Sequence, residues 1–280
     1  MTPMKIGIHY DIPFAEYQKI DAISGSKLFK IKKSPAHFMA GLEDDGDSPA
    51  RIFGRAFHTF ILEPHKLGNV LVCPEAKSRT NKKYDEMVAN NPGASVILEK
   101  EQAQLIGMRE AFDACKTAKA FLDGTKKEVT IVWKCRETGE LCKGRLDAWN
   151  PELKTIIDVK TCGDASFFSF RNDAASYDYD LKAAWYSWGM QELGESVDAS
   201  VLIAIEKEAP YGVMNYCLDS HEIKLAGFEC AEMLKKYHFC KSTGKWPCYE
   251  DMVVDLAMPE WKTKELMRKF GDAVVSEEKK

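Results

Sequence analysis

The chain has 280 residues, 45% of them hydrophobic and 29% charged, which is enough apolar material for a sizeable core and excludes a disordered chain. Thirty-nine Lys and Arg stand against 43 Asp and Glu for a net charge of −4, so no global basic field draws the protein to nucleic acid and any such site must be a local patch. No apolar run reaches the ~20 residues of a membrane span, and the stretch from Met1 to Phe14 lacks the basic flank and long apolar core of a secretory leader. The expectation is a cytoplasmic protein with no membrane partner.

The nine cysteines are an odd number, scattered, with no CxxC pair, which fits reduced thiols better than disulfides or a zinc site. The last four, at 217, 230, 240 and 248, match no common iron–sulfur spacing, so no iron–sulfur cluster is expected.

In chain order, the first 41 residues read as a loop and a short helical unit. Ser24 and Ser26 are candidate caps there, Ser34-Pro35 opens a second turn, and Lys27, Lys30, Lys32 and Lys33 make the unit basic. Glu43-Asp44-Asp45-Gly46-Asp47 reads as an acidic loop. A helix should start at Pro49, because Phe53, Ala56, Phe57, Phe60 and Ile61 recur on one face until Pro64 stops it, with His58 beside that face. Residues 74 to 93 are polar and read as a mobile excursion, followed by a helix from Glu99 to Ala120.

Val129 to Trp133 is β-rich, Arg136 to Glu140 is a turn, Leu141 to Trp149 is a second strand, and Asn150-Pro151-Glu152 turns the chain into a third, Thr155 to Lys160. A helix from Asp180 to Leu193, strands from Ala199 to Ile205 and Val213 to Leu218, and a helix from Ser220 to Lys241 complete the order. This predicts one α/β domain with a mixed central sheet.

The chemistry concentrates in the meander. Asp147 lies near the end of its second strand and Asp158 in its third, and Lys160, two positions on, projects from the same face as Asp158. Oxygen ligands from adjacent strands suit Mg²⁺, and a lysine beside them can stabilise developing negative charge. The alternative is an ion pair on a half-exposed strand, but Ile156, Ile157 and Val159 are apolar on both faces and make an unpaired buried Asp costly. A lone His58 is more often a core or capping residue than a ligand, although Gly54, one turn earlier, leaves room for close approach. Cys162 follows Lys160-Thr161 and has no evident base, so it reads as a bystander thiol; P-loop, GxSxG and HExxH motifs are absent.

The ordered set Gly54-Arg55-Ala56-Phe57-His58, Gly144-Arg145-Leu146-Asp147, Asp158-Val159-Lys160-Thr161 and Leu181-Lys182-Ala183-Ala184-Trp185-Tyr186 resembles the motif series of the PD-(D/E)XK nuclease superfamily. More narrowly it resembles the RecE-type (exonuclease VIII) exonucleases, related to the RecB nuclease domain and lambda exonuclease. The segment from Tyr17 to Phe29, Trp246-Pro247-Cys248-Tyr249 and Met258-Pro259-Glu260-Trp261 share that likeness, so it spans most of the chain.

The resemblance implies a restriction-endonuclease-like αβββαβ core in a single nuclease domain over 1–280, with a basic N-terminal unit (1–45), the core (46–245) and a C-terminal tail (246–280). It implies that His58, Asp147, Asp158 and the Val159 carbonyl bind Mg²⁺, with Mn²⁺ able to substitute, in two-metal hydrolysis. Lys160 would position or activate the attacking water and Tyr186 would face the cleft; relatives generally carry glutamine where this chain has Lys182, which could contact the scissile phosphate, compete with metal for the carboxylates, or equally be an exposed lysine on an amphipathic helix. Ser24, Ser26, Arg55, Lys143 and Arg145 would contact DNA, although each, like the N-terminal lysines, reads equally as solvated surface. The implied activity is processive 5′-to-3′ digestion of linear double-stranded DNA by a ring-shaped homo-oligomer, a trimer or tetramer. Its implied partner is a single-strand annealing protein of RecT type, and its implied setting a phage or prophage gene in a bacterial host. An endonuclease or repair nuclease of the same superfamily, or a catalytically silent DNA-binding subunit, are the alternatives.

Overall fold

The computed structural model describes residues 4–42 and 48–277, the last seven of these by backbone alone. The acidic stretch Glu43 to Asp47 lies outside the described residues. The chain opens with β1 (Gly7–His9), α1 (Phe14–Lys19), β2 (Ile23–Ser24), α2 (Gly25–Leu28), a 3-10 turn and α3 (Pro35–Ala40). Next come α4 (Pro49–Leu62), β3 (Val70–Cys73), α5 (Lys82–Asn90), β4 (Ser95–Leu98), α6 (Glu99–Ala114) and α7 (Lys116–Leu122). The meander is β5 (Lys126–Lys134), β6 (Leu141–Asn150) and β7 (Thr155–Cys162). It leads to α8 (Phe167–Ser176), α9 (Tyr179–Glu192), β8 (Ala199–Glu206), β9 (Val213–Cys217), α10 (Ser220–Thr243) and α11 (Glu260–Glu277).

The central sheet runs β1-β5-β6-β7-β8-β9, with β2 paired to β6. It is mixed: β7 and β8 are parallel and the meander is antiparallel, and α4, the meander, α9 and β8 supply the αβββαβ core that was expected. One face packs under α9 and α10, where Trp133, Trp149 and Trp185 are buried with Leu28, Phe29 and Phe38 of the N-terminal unit. The other packs on α4 and α6, where Phe53, Phe57, Leu105 and Met108 meet Ile157, Val159, Ile203 and Ile205. The α4 face follows from its spacing, and its start from Pro49 and the Ser48 hydroxyl, which accepts the Arg51 amide at 3.3 Å.

Two expectations are corrected. Residues 74 to 93 are not a mobile excursion: Ala76 and Tyr84 are buried, and Arg79 makes two 2.8 Å bonds to the Glu101 carboxylate. Lys77, Lys82 and Lys83 do face solvent, but Arg79 turns inward and Tyr84 donates to the Val96 carbonyl at 2.8 Å. The helix from Glu99 is also two helices, because Cys115 adopts an extended conformation (ψ 98°) between α6 and α7.

The chain forms two compact units, the first ending at Trp246 and the second starting at Pro247. In the second, α11 starts after Pro259, whose carbonyl accepts the Lys262 and Thr263 amides, and Lys262 and Lys269 pair with Glu265 at 3.0 and 2.5 Å. Among the described residues no helix is long and apolar enough to cross a membrane.

Candidate metal centre

The site arises where β6 and β7 part. Their ladder pairs Asn150 with Thr155, Trp149 with Ile156 and Ala148 with Ile157, and goes no further. Beyond it, the vacated edge of β6 takes β2, which pairs in parallel with Cys142 and Lys143. Asp147 and Asp158 are the first residues past the split, and the Asp147 carboxylate fills the gap by accepting the Val159 amide at 2.8 Å. Val159 therefore supplies an N–H to Asp147, while its side chain belongs to the α4 core.

A second irregularity brings in a residue that the sequence reading missed. Leu146 and Ala148, two apart on β6, belong to opposite cores, so strand alternation breaks at Asp147. Across from it on β5, between the pairs Lys127–Ala148 and Val129–Leu146, stands Glu128 with a φ of 50°, an unusual left-handed backbone for a glutamate. The two carboxylates face each other. The expected strand began at Val129 and left Glu128 in a loop; the signal was there in the hairpin register, since Thr130 opposite Arg145 sets Glu128 opposite Asp147.

His58 projects from α4 toward both, its Nδ1 lying 3.6 Å from Glu128 Oε1 and 3.6 Å from Asp147 Oδ1. Ligand atoms of His58, Glu128 and Asp147 all fall within 4.8 Å of one another, a spacing and donor set that fit one divalent cation. Burial pushes the His58 imidazole pKa down, but Asp147 and Glu128 more than offset this and carry it up to about 9. One turn earlier, Gly54 has nothing within 4 Å of where a Cβ would sit, so the surface beside His58 is open.

Lys160 lies on the α9 side, its ammonium 2.5 Å from Asp158 Oδ2 and 3.8 Å from Asp147 Oδ2. Burial, with the nearby Asp147 charge, pushes the Asp158 carboxyl up to about 6 although Lys160 pulls the other way. The Lys160 amine is held above its usual range, because Asp158 and Asp147 outweigh its own burial. Tyr186 of α9 lies against β6: a Cβ on Gly144 would come within 3.0 Å of its ring, which gives the motif glycine a packing reason. Burial, reinforced by Asp158, lifts the Tyr186 hydroxyl well above its usual range. Lys182 lies one turn before Tyr186, with its ammonium 4.8 Å from the Tyr179 ring centre. The structure thus brings His58, Asp147, Asp158, Lys160, Lys182 and Tyr186 together around one cleft.

The expected DNA contacts fare differently. Lys143 is buried, and its ammonium donates to the carbonyls of Tyr17, Gln18 and Ile20 at 3.0, 3.2 and 2.8 Å, closing the end of α1. Arg145 donates to Glu128 at 2.6 Å and to the Ile12 carbonyl at 2.8 Å. Both cations hold the N-terminal segment to the sheet through these inward-directed bonds. Ser24 is buried and Ser26 exposed, with their hydroxyls 3.3 Å apart, and neither caps the four-residue α2 by a side-chain bond. Arg55 is half-buried on α4, one position after Gly54. Of the N-terminal lysines, Lys32 pairs with Asp178 at 2.7 Å and Lys30 bonds the Gly41 carbonyl, so part of that basic character is structural.

A family profile described as a PDDEXK-like domain of unknown function (DUF3799) matches residues 24–253. Among solved structures, a candidate exonuclease from Eubacterium rectale is similar over 90% of this chain and 94% of that one, with a TM-score of 0.58 at 14% identity. That is a likeness of fold. A phage-related exonuclease from Haemophilus somnus 129PT covers 80% of this chain and 96% of its own at 15% identity, but with a TM-score of 0.38 it carries no argument. No curated protein sequence matches.

Proposed function

The chain belongs to the PDDEXK-like domains of unknown function, and from that premise we propose that it is a divalent-metal-dependent nuclease that hydrolyses DNA from the ends of linear duplexes. The observation that carries the reading is the split between β6 and β7, which collects Asp147, Asp158 and Lys160 on one wall with His58 and Glu128 opposite. Opposed cations and anions packed only to satisfy one another would not leave two carboxylates, Glu128 and Asp147, turned toward one half-buried histidine beyond hydrogen-bond length.

His58, Glu128 and Asp147 would hold the cation, with Asp158 beside them. When bound it supplies Lewis acidity at the scissile phosphate. Lys160 orients the attacking water through its ammonium and stabilises the charge that develops on the phosphoryl oxygens, its own position fixed by Asp158. Arg145 holds Glu128 from behind at 2.6 Å, so that the other carboxylate oxygen stays turned toward His58. The open surface at Gly54 gives a nucleic-acid backbone a way to the centre.

The finer reading, 5′-to-3′ digestion by a ring-shaped oligomer that works with an annealing protein, is supported by the RecE-type motif series alone. The test is a 5′-phosphorylated, internally labelled linear duplex incubated with protein and Mg²⁺ or Mn²⁺ beside a covalently closed circle. Progressive loss of one strand from each 5′ end with the circle intact is expected. Cutting of the circle turns the assignment to an endonuclease, and no cleavage of either DNA with either ion overturns the nuclease reading.

A further inference from the structure

The ligand atoms around the centre are unequally engaged. Asp158 Oδ2 is taken by Lys160, Asp147 Oδ2 by the Val159 amide and Glu128 Oε2 by Arg145. What remains is one oxygen from each of the three carboxylates, together with the imidazole of His58. That set is enough, with waters, for one hard divalent cation, which takes about six ligands. A second cation, about 3.5–4 Å from the first, needs further oxygens of its own.

On the α9 side of Asp158, where those oxygens would have to be, the structure places positive charge. Lys160 and Lys182 both stand by one aromatic ring, their ammonium groups 5.5 and 4.8 Å from the centre of Tyr179. Lys160 has its carboxylate partner. Lys182 is half-buried, and among the described residues no carboxylate stands within 4 Å of its ammonium, although it lies within the field of Asp158 and Asp147. A flexible, half-buried cation that faces a ring and lies in the field of two carboxylates without pairing with either is favourable when an anion completes it.

We propose that the centre binds a single divalent cation per chain and that Lys182 is the second positive charge, contacting a non-bridging oxygen of the scissile phosphodiester. This rests on the nuclease reading and departs from the two-metal hydrolysis implied by the motif series. A fixed ammonium neutralises the phosphate without the ligands that an ion demands, so Lys182 stands where its charge would repel a second ion.

Calorimetric titration of the full chain with Mn²⁺, joined to electron paramagnetic resonance of the bound ion, tests it without reference to activity. The wild type should bind one ion per chain and give the spectrum of an isolated Mn²⁺. Lys182→Gln should bind two and show spin coupling between them, while Lys182→Arg, which keeps the charge, should stay at one. Two ions in the wild type, or one in Lys182→Gln, overturns the proposal and leaves the nuclease reading standing. Absence of any Mn²⁺ binding overturns both, and because the wild-type count needs no variant, a Lys182→Gln that fails to fold does not protect the proposal.

Discussion

Around Glu101, each carboxylate oxygen faces a guanidinium nitrogen of Arg79 at 2.8 Å, and one of them also accepts the Leu98 amide at 2.9 Å. Around Asp147, by contrast, Glu128 and Asp158 crowd a third carboxylate, and His58 stands 3.6 Å from two acceptors, beyond hydrogen-bond length. Both clusters lie at least partly inside the fold and are built from ionisable side chains. The first closes on itself and fastens residues 74 to 93 to the core; in the second Arg145 and Lys160 each take one carboxylate and His58 faces the third, yet the three carboxylates stay crowded at one point, which a bound cation would relieve. The difference separates a structural cluster from a site, and it can be pressed from either side.

The largest effect is expected at the open cluster. Asp158→Ala should lose hydrolysis by more than the ~10- to 100-fold that removal of a supporting residue costs, because it takes away a group at the centre itself. Its metal-free melting temperature should fall as well, since Lys160 loses the carboxylate 2.5 Å from its ammonium, so the rate is read per folded molecule. Cleavage assays and a thermal melt on one preparation decide it, and undiminished Mg²⁺-dependent cleavage would remove Asp158 from the centre.

At the closed cluster the order reverses. Glu101→Ala leaves the Arg79 guanidinium without its bidentate partner and should cost about 3 kcal/mol in urea unfolding, with the rate per folded molecule unchanged. A large loss of rate at intact stability would join the 74 to 93 region to the site. Between the two lies Gly144→Ala, whose Cβ would press on the Tyr186 ring at 3.0 Å and on Ile131 at 3.2 Å. Overpacking there should cost about 1–3 kcal/mol and lower kcat/KM as well, because the ring lies beside the cleft.

The smallest effect is at a third ion cluster. Burial pushes the Glu140 carboxyl up, but hydrogen bonds from Lys241 and His238 prevail and hold it below its usual 4.5. A carboxylate with a depressed folded pKa stabilises the fold above about pH 4.5, and the contribution is lost as pH falls through the folded value. Glu140→Gln should therefore lower stability at neutral pH and lose less of it on acidification, so the two unfolding curves converge below pH 4.5. Parallel curves across that range would show that Glu140 makes no such contribution.

Much of this fold was legible in the sequence. Phe53, Phe57 and Ile61 recur at helical spacing because a helix buries one stripe, and the meander announced itself through β-rich runs cut by Thr138-Gly139 and Asn150-Pro151. Asp158 and Lys160 could be set on one face because strands alternate. Glu128 could not be placed by alternation, which fails where β5 carries a left-handed residue opposite Asp147. The inward engagement of Lys143 and Arg145 was equally hidden, since a cation's sequence neighbours do not reveal that the carbonyls of Tyr17 and Ile20 come to meet it from more than 120 positions away.

The sequence by itself determined which segments are amphipathic and which residue types stand near one another along a strand, because those properties are local and periodic. Only the tertiary structure decided that β6 and β7 part after Ala148 and Ile157, that Glu128 joins His58 and Asp147, and that Lys182 stands over Tyr179 with no carboxylate among the described residues within 4 Å. Each of these depends on how separate elements are packed, and the charge balance at the centre is a sum over residues that only folding brings within a few ångströms of one another.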